Sequence, residues 1–227
     1  AEMYGDGDTE SFLGEALAGL RAQVYLVSKV YPQNAGRGPI ERACEASLRR
    51  LRTDRLDLYL LHWRGSVPLA ETVEGMEALK TAGKIGDWGV SNFDTADMAQ
   101  LAKAGGGGCV TNQILYNLAR RGAEFDLLPD LQTRGIAAMA YSPIEQGALP
   151  DAPVIAQIAK RHSATVFQIA LAWVLRQPGL IAIPKAASLT HVAENAGAAD
   201  IVLTREDLAA IDAALPPPSR KSPLEML

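Results

Sequence analysis

LDLYLLHW, residues 56–63, is apolar through its body and closes on a histidine and a tryptophan. Five further runs share its character: VYLVSK (24–29), IGDWGVSN (85–92), CVTNQILY (109–116), GIAAMAYS (135–142) and LIAIPK (180–185). Each reads as a strand. Between them lie IERACEASLRRL (40–51), LAETVEGMEALKTAG (69–83), DTADMAQLAKAG (94–105) and VFQIALAWVLRQ (166–177), with apolar residues at three-to-four spacing, and these read as helices. No hairpin signal joins the strands. The alternation therefore predicts an α/β fold with parallel pairing through right-handed crossovers, either a doubly wound open sheet or a (β/α)8 barrel.

The strand ends separate the two. Each run finishes in a polar or reactive side chain: Lys29, His62, Ser91 with Asn92, Gln113, Tyr141 with Ser142, and Lys185. In a barrel such ends converge on one face, where polar groups bind and react. In an open sheet they would spread along a line. A (β/α)8 TIM barrel is favoured, yet it needs eight strands and typically about 250 residues, and six strands are visible. Helices over 189–198 and 204–215 and a proline-rich end make the C-terminal side look complete, so the expectation is that the first two strands are missing. The chain, 1–227, is then a single barrel domain, N-terminally incomplete, with GGGG (105–108) as one flexible loop.

Composition excludes several classes. The 227 residues are 48% hydrophobic, enough for a sizeable core, and carry a net charge of −4 with 22 scattered basic residues. Nothing in that pattern attracts nucleic acid or an anionic membrane. Cys44 and Cys109 show neither CxxC nor dense disulfide spacing, and no apolar run approaches 18 residues, so a cytoplasmic protein with reduced thiols is expected.

Motifs for other chemistry fail. Gly5-Asp6-Gly7 lacks a third glycine and a preceding strand, AGKIG (82–86) lacks Walker spacing, and GVSNF (89–93) has Phe93 where a nucleophile elbow closes on glycine. His62, His162 and His191 are the only histidines and form no HxxxH pair, so no metal site is expected. The acidic DGDTE (6–10) reads as a helix start, with Asp8 or Thr9 capping the helix through SFLGEALAG.

AEMYGDG, VYLVSKV, LYLLHW, GVSNF, TNQILYN, AYSPIEQG and IPKAAS…HVAEN occur in the order and approximate spacing of the aldo-keto reductases. The resemblance spans virtually the whole chain and is nearest to prokaryotic members that reduce small aldehydes. It implies a (β/α)8 barrel that binds NADPH, or NADH, without a Rossmann fingerprint and reduces carbonyls to alcohols. Residue by residue, it makes Tyr4, Lys29 and His62 the catalytic set, with Tyr4, His62 and Trp63 meeting the substrate. The chemistry suits that choice, because hydride delivery to a carbonyl carbon leaves charge growing on oxygen, and a positioned acid is typically worth ~10²- to 10⁴-fold. A phenol is a weak acid, with a reference pKa of about 10, and a neighbouring ammonium eases its proton release. Singly, such a tyrosine, lysine and histidine are ordinary surface or packing groups; within seven ordered motifs they read together.

The same resemblance places Ser91, Asn92 and Gln113 on the nicotinamide carboxamide, with Ser142 beside them in the cofactor set. It stacks Tyr141 on the nicotinamide ring and directs Lys185 to the adenosine 2′-phosphate, Glu194 and Asn195 to the adenine side. Where many members carry arginine six residues after that lysine, this chain has His191, which lacks the permanent charge and fork of guanidinium. Trp88, inside a strand, is expected to pack. The family's aspartate, five residues before the tyrosine, would fall upstream of Ala1. Two other outcomes therefore stand beside the enzyme: a non-catalytic nicotinamide-binding subunit, and an inactive truncated barrel that self-associates through exposed strand edges, where the full-length parent would be a monomer.

Overall fold

The computed structural model describes residues 1–227. They divide into two compact units, Ala1–Asn112 and Gln113–Leu227. The first unit holds α1 (Asp8–Ala16), β1 (Val27–Val30), α2 (Pro39–Leu51), β2 (Leu56–Leu61), α3 (Leu69–Thr81), β3 (Ile85–Ser91), α4 (Thr95–Lys103) and the start of β4 (Cys109–Leu115). Its strands are parallel, and the register sets Lys29 beside Leu60 and Leu60 beside Gly89. Residues side by side in a parallel sheet point to one face, and successive residues alternate. Lys29, Leu60 and Gly89 therefore share one face, while Ser28, Tyr59 and Trp88 share the other.

The second face is the one the helices cover. Trp88 is 1% exposed and donates from Nε1 to Glu77 Oε1 of α3 at 2.8 Å, the packing role expected of it. Ser28 donates to Glu10 Oε1 of α1 at 2.5 Å, and Arg50 of α2 reaches Glu10 Oε2 at 2.6 Å, so one buried carboxylate joins two helices and a strand. On α2, Ile40, Ala43, Cys44, Ser47, Leu48 and Leu51 are buried, a helical stripe that begins behind Pro39 and stops where Arg52 turns left-handed at φ 52°. Asp94 and Asp97 form a reciprocal capping box at the start of α4.

Two local expectations change here. Neither Asp8 nor Thr9 caps α1: the capping position is Gly7 at φ 99°, without a side-chain bond, and Asp8 is already helical. At φ 99° a residue with a side chain would be strained at Gly7, and its Cβ would also press on the Arg50 side chain at 2.7 Å. The GGGG run is packed at only two of its four positions: a Cβ on Gly106 would sit 2.7 Å from the Leu101 carbonyl oxygen and one on Gly108 would collide with the Glu77 carboxylate, whereas Gly105 and Gly107 face open space.

The second unit holds the rest of β4, α5 (Leu127–Arg134), β5 (Ala137–Tyr141), α6 (Pro153–Arg161), α7 (Val166–Leu175), β6 (Leu180–Ala182), α8 (Leu189–Gly197) and α9 (Arg205–Ala214). Strands β5 and β6 are parallel, with Ala138 beside Leu180 and Ala140 beside Ala182. The core helix α7 opens on a Thr165–Gln168 capping box and buries every residue from Ile169 to Val174. Buried Asp207 of α9 ties that helix to α6 through Arg161 and through His162 Nε2 at 2.7 Å. β6 is shorter than expected. Ile183 still donates to Ala140 O at 3.1 Å, but Pro184 has no N–H to continue the ladder, and Lys185 lies in the following loop rather than at a strand end. No helix is long and apolar enough to cross a membrane.

Candidate active site

In the first unit the register Val30–Leu61–Val90 brings the C-terminal ends of three strands level. The site is built on those ends. Tyr4 comes from the loop before α1, where Gly5, Asp6 and Gly7 all have positive φ (58°, 50° and 99°), and its ring remains 43% exposed. Lys29, near the end of β1, is buried, and its Nζ donates to Tyr4 Oη at 3.1 Å while lying 5.0 Å from the ring centroid. His62, immediately after β2, is also buried and meets the Tyr4 ring edge-to-face at 5.8 Å. Trp63 tilts against His62 at 4.8 Å and meets Tyr31 edge-to-face at 5.7 Å. The structure therefore gathers Tyr4, Lys29, His62 and Trp63 into one cluster.

Ser91 ends β3, and Asn92 follows in the left-handed region at φ 59°, an uncommon conformation for a residue other than glycine. The Asn92 amide donates to the His62 carbonyl oxygen and to Ser91 Oγ, each at 3.2 Å, so these two residues are fastened to the same loop that carries the histidine.

Burial first, and then the Lys29 ammonium, press the His62 imidazole down to about 4. It is neutral near pH 7, so one ring nitrogen carries a proton and the other does not. Its Nδ1 is buried without a hydrogen-bond partner. A consequence for stability follows in sign. The unfolded state takes up this proton near pH 6.5 and the folded state only near 4, so the contribution is complete above about 6.5 and is lost as pH falls towards 4. Urea titrations across that window should show stability falling by on the order of 2–3 kcal/mol more in the parent chain than in His62→Gln. Equal slopes would show that the histidine does not titrate in this way.

In the second unit, Ser142, Lys185, His191, Glu194 and Asn195 line one cavity of about 460 Å³, open at the loops after β5 and β6 and at the first turns of α8. That volume suits a small-molecule ligand. The loop after β5 is held in unusual backbone geometry, with Ser142, Glu145 and Gln146 all at positive φ. Asn117, which the sequence reading did not single out, anchors it by donating to the Ser142 carbonyl at 2.9 Å and to Glu145 Oε2 at 2.6 Å. Its position after the strand end TNQILY was the available signal. Ser188 caps α8 by accepting from the His191 N–H at 3.2 Å. Gln113 and Tyr141 stand apart from the lining: Gln113 is buried and donates to Met139 Sδ at 3.5 Å, while Tyr141 Oη accepts from the Leu227 N–H at 3.4 Å. A second cavity, about 320 Å³, lies at the opposite, N-terminal ends of β5 and β6 and contains none of the expected site residues.

Comparison with known proteins shows the family. A profile described as the Aldo/keto reductase family matches residues 1–216. Methylglyoxal reductase YeaE of Escherichia coli (strain K12) is 52% identical over 234 residues, which cover 100% of this chain and 82% of that protein. Glyoxal reductase of Bacillus subtilis (strain 168) is 37% identical over 193 residues, covering 85% of this chain and 69% of its own. Among solved structures, an aldo/keto reductase from Klebsiella pneumoniae in complex with NADP and acetate superposes with a TM-score of 0.97 at 55% identity, covering 100% of this chain and 82% of that one. A likeness of that extent carries the α/β barrel fold expected from the strand pattern. The chain belongs to the aldo/keto reductase family.

Proposed function

We propose that this chain reduces a small aldehyde, of the α-oxoaldehyde class, to the corresponding alcohol with NADPH as reductant. The observation that carries the reading is the 3.1 Å bond from Lys29 Nζ to Tyr4 Oη beside a buried, neutral His62. The likeness to a methylglyoxal reductase and a glyoxal reductase supports the substrate class, and the NADP complex of the Klebsiella relative supports the cofactor.

The donor set fits such a cofactor. Lys185 and His191 share a cavity with the N-terminal turns of α8, where a cation, an imidazole and backbone N–H groups suit a phosphorylated ribose. We take Lys185 and His191 as the 2′-phosphate contacts, Glu194 and Asn195 as the adenine side, and Tyr141 as the ring that stacks on nicotinamide. Ser91, Asn92 and Gln113 are taken as the carboxamide contacts, and Ser142 as a further cofactor contact. These assignments treat 1–227 as one barrel domain. A bound nicotinamide cofactor would supply hydride to the carbonyl carbon. Tyr4 Oη gives its proton to the carbonyl oxygen as charge develops there, and the Lys29 ammonium, hydrogen-bonded to that phenol, stabilises the phenolate left behind. His62 orients the carbonyl as a neutral donor, and Trp63 walls the substrate.

The test is direct. Purified chain with NADPH and methylglyoxal should consume the reduced cofactor at 340 nm, and fluorescence quenching should show tighter binding of NADPH than of NADH. Binding without turnover would overturn the catalytic reading, and no binding would overturn the cofactor reading as well.

A further inference from the structure

Glu2 stands two residues before the proposed acid. Its Oε1 accepts the Tyr31 N–H at 2.6 Å and the Asn34 side-chain amide at 3.2 Å, and its own N–H lies 3.4 Å from the Lys29 carbonyl oxygen. Tyr31 and Asn34 flank the turn Pro32–Asn34 that leaves β1, and Asn34 N–H already donates to the Tyr31 carbonyl at 3.0 Å. One carboxylate oxygen therefore gathers both ends of that turn, and its backbone lies against the strand residue that carries the site ammonium.

Two parts of the site hang from this clasp. The first is the Tyr4 loop, whose next three residues are all left-handed, a region that backbone preference disfavours outside glycine, and whose tyrosine is 43% exposed. The second is Trp63, because the ring it leans on at 5.7 Å belongs to Tyr31, the residue whose N–H Glu2 holds. Hydrogen bonds to an ionised carboxylate are roughly twice as strong as neutral ones. A misplacement of about 1 Å in a reacting group costs on the order of 10²-fold in rate.

We propose that Glu2 is a positioning residue for the reaction, setting the Tyr4 phenol against Lys29 and the Trp63 wall against His62 without touching substrate or cofactor. The inference rests on the reading of Tyr4 as the proton donor. Glu2→Ala is expected to lower kcat for methylglyoxal by about 10- to 100-fold, with NADPH affinity changed less than about twofold. Hydrogen exchange at the Tyr31 amide and across residues 1–7 should accelerate in the same variant. Glu2→Gln keeps an acceptor oxygen in place and should retain at least about a third of the parent kcat, with Tyr31 still protected. Asn34→Ala removes the longer of the two bonds and should move kcat in the same direction by less. Parent-level kcat in Glu2→Ala would overturn the proposal. Equal losses in Glu2→Gln and Glu2→Ala would also overturn it, since charge rather than placement would then be responsible. A parent chain without turnover would refute the reductase reading alone, and exchange over residues 1–7 would still decide whether Glu2 holds the loop.

Discussion

Tyr4→Phe should lower kcat for an α-oxoaldehyde by about 10²- to 10⁴-fold while leaving NADPH affinity within about twofold. The substitution removes one oxygen and keeps the ring. Lys29 Nζ loses its 3.1 Å partner, but the edge-to-face contact with His62 at 5.8 Å belongs to the ring and survives. Cofactor contacts proposed for Lys185, His191, Glu194 and Asn195 involve no atom of Tyr4. The loss should therefore fall on the chemical step, while buried Lys29, left without the phenol oxygen, should lower stability by about 1 kcal/mol. Because Tyr4 is 43% exposed, water has access to the same region and sets the residual rate. A fall of less than tenfold would mean that water, or another group, already supplies the proton.

How legible this site is from sequence differs between its parts. Lys29, His62 and Ser91 were visible because each ends an apolar run, and the observed register confirms that the ends of β1, β2 and β3 are level. Tyr4 was visible only through the family motif, since nothing in the periodicity of AEMYGDG marks a loop that folds back onto β1. Glu2 was invisible for the same reason: its partners are a backbone N–H at Tyr31 and an amide at Asn34, about thirty residues away, and neither leaves a trace in local composition. Helix α5 is equally hard to read from sequence, because it is only 8 residues long and carries Pro129 in its first turn, which reads as a breaker although proline is tolerated there. The apolar LIAIPK predicts a strand through Lys185, whereas Pro184 ends the ladder before it. Backbone chemistry, not hydrophobicity, set that boundary.

Trp88→Ala should cost about 3–5 kcal/mol of stability, measured by urea unfolding, the largest expected loss in the first unit. Trp88 and Trp63 are both tryptophans on or just beyond adjacent strands, yet Trp88 is 1% exposed on the helix-covered side, where its Nε1 bonds Glu77 at 2.8 Å. A Cβ on Gly108 would already sit 3.2 Å from that nitrogen, so the indole is enclosed by backbone as well as by α3. Truncation would remove the ring's buried area and leave a space that the fixed backbone at Gly108 cannot fill, while the Glu77 carboxylate loses its donor. Trp88→Phe separates the two contributions: it retains most of the volume and should cost only about 1–2 kcal/mol for the lost hydrogen bond and residual gap. If Trp88→Ala cost less than about 1 kcal/mol, α3 would have to close onto β3, and the close fit at Gly108 would not limit the packing of this face.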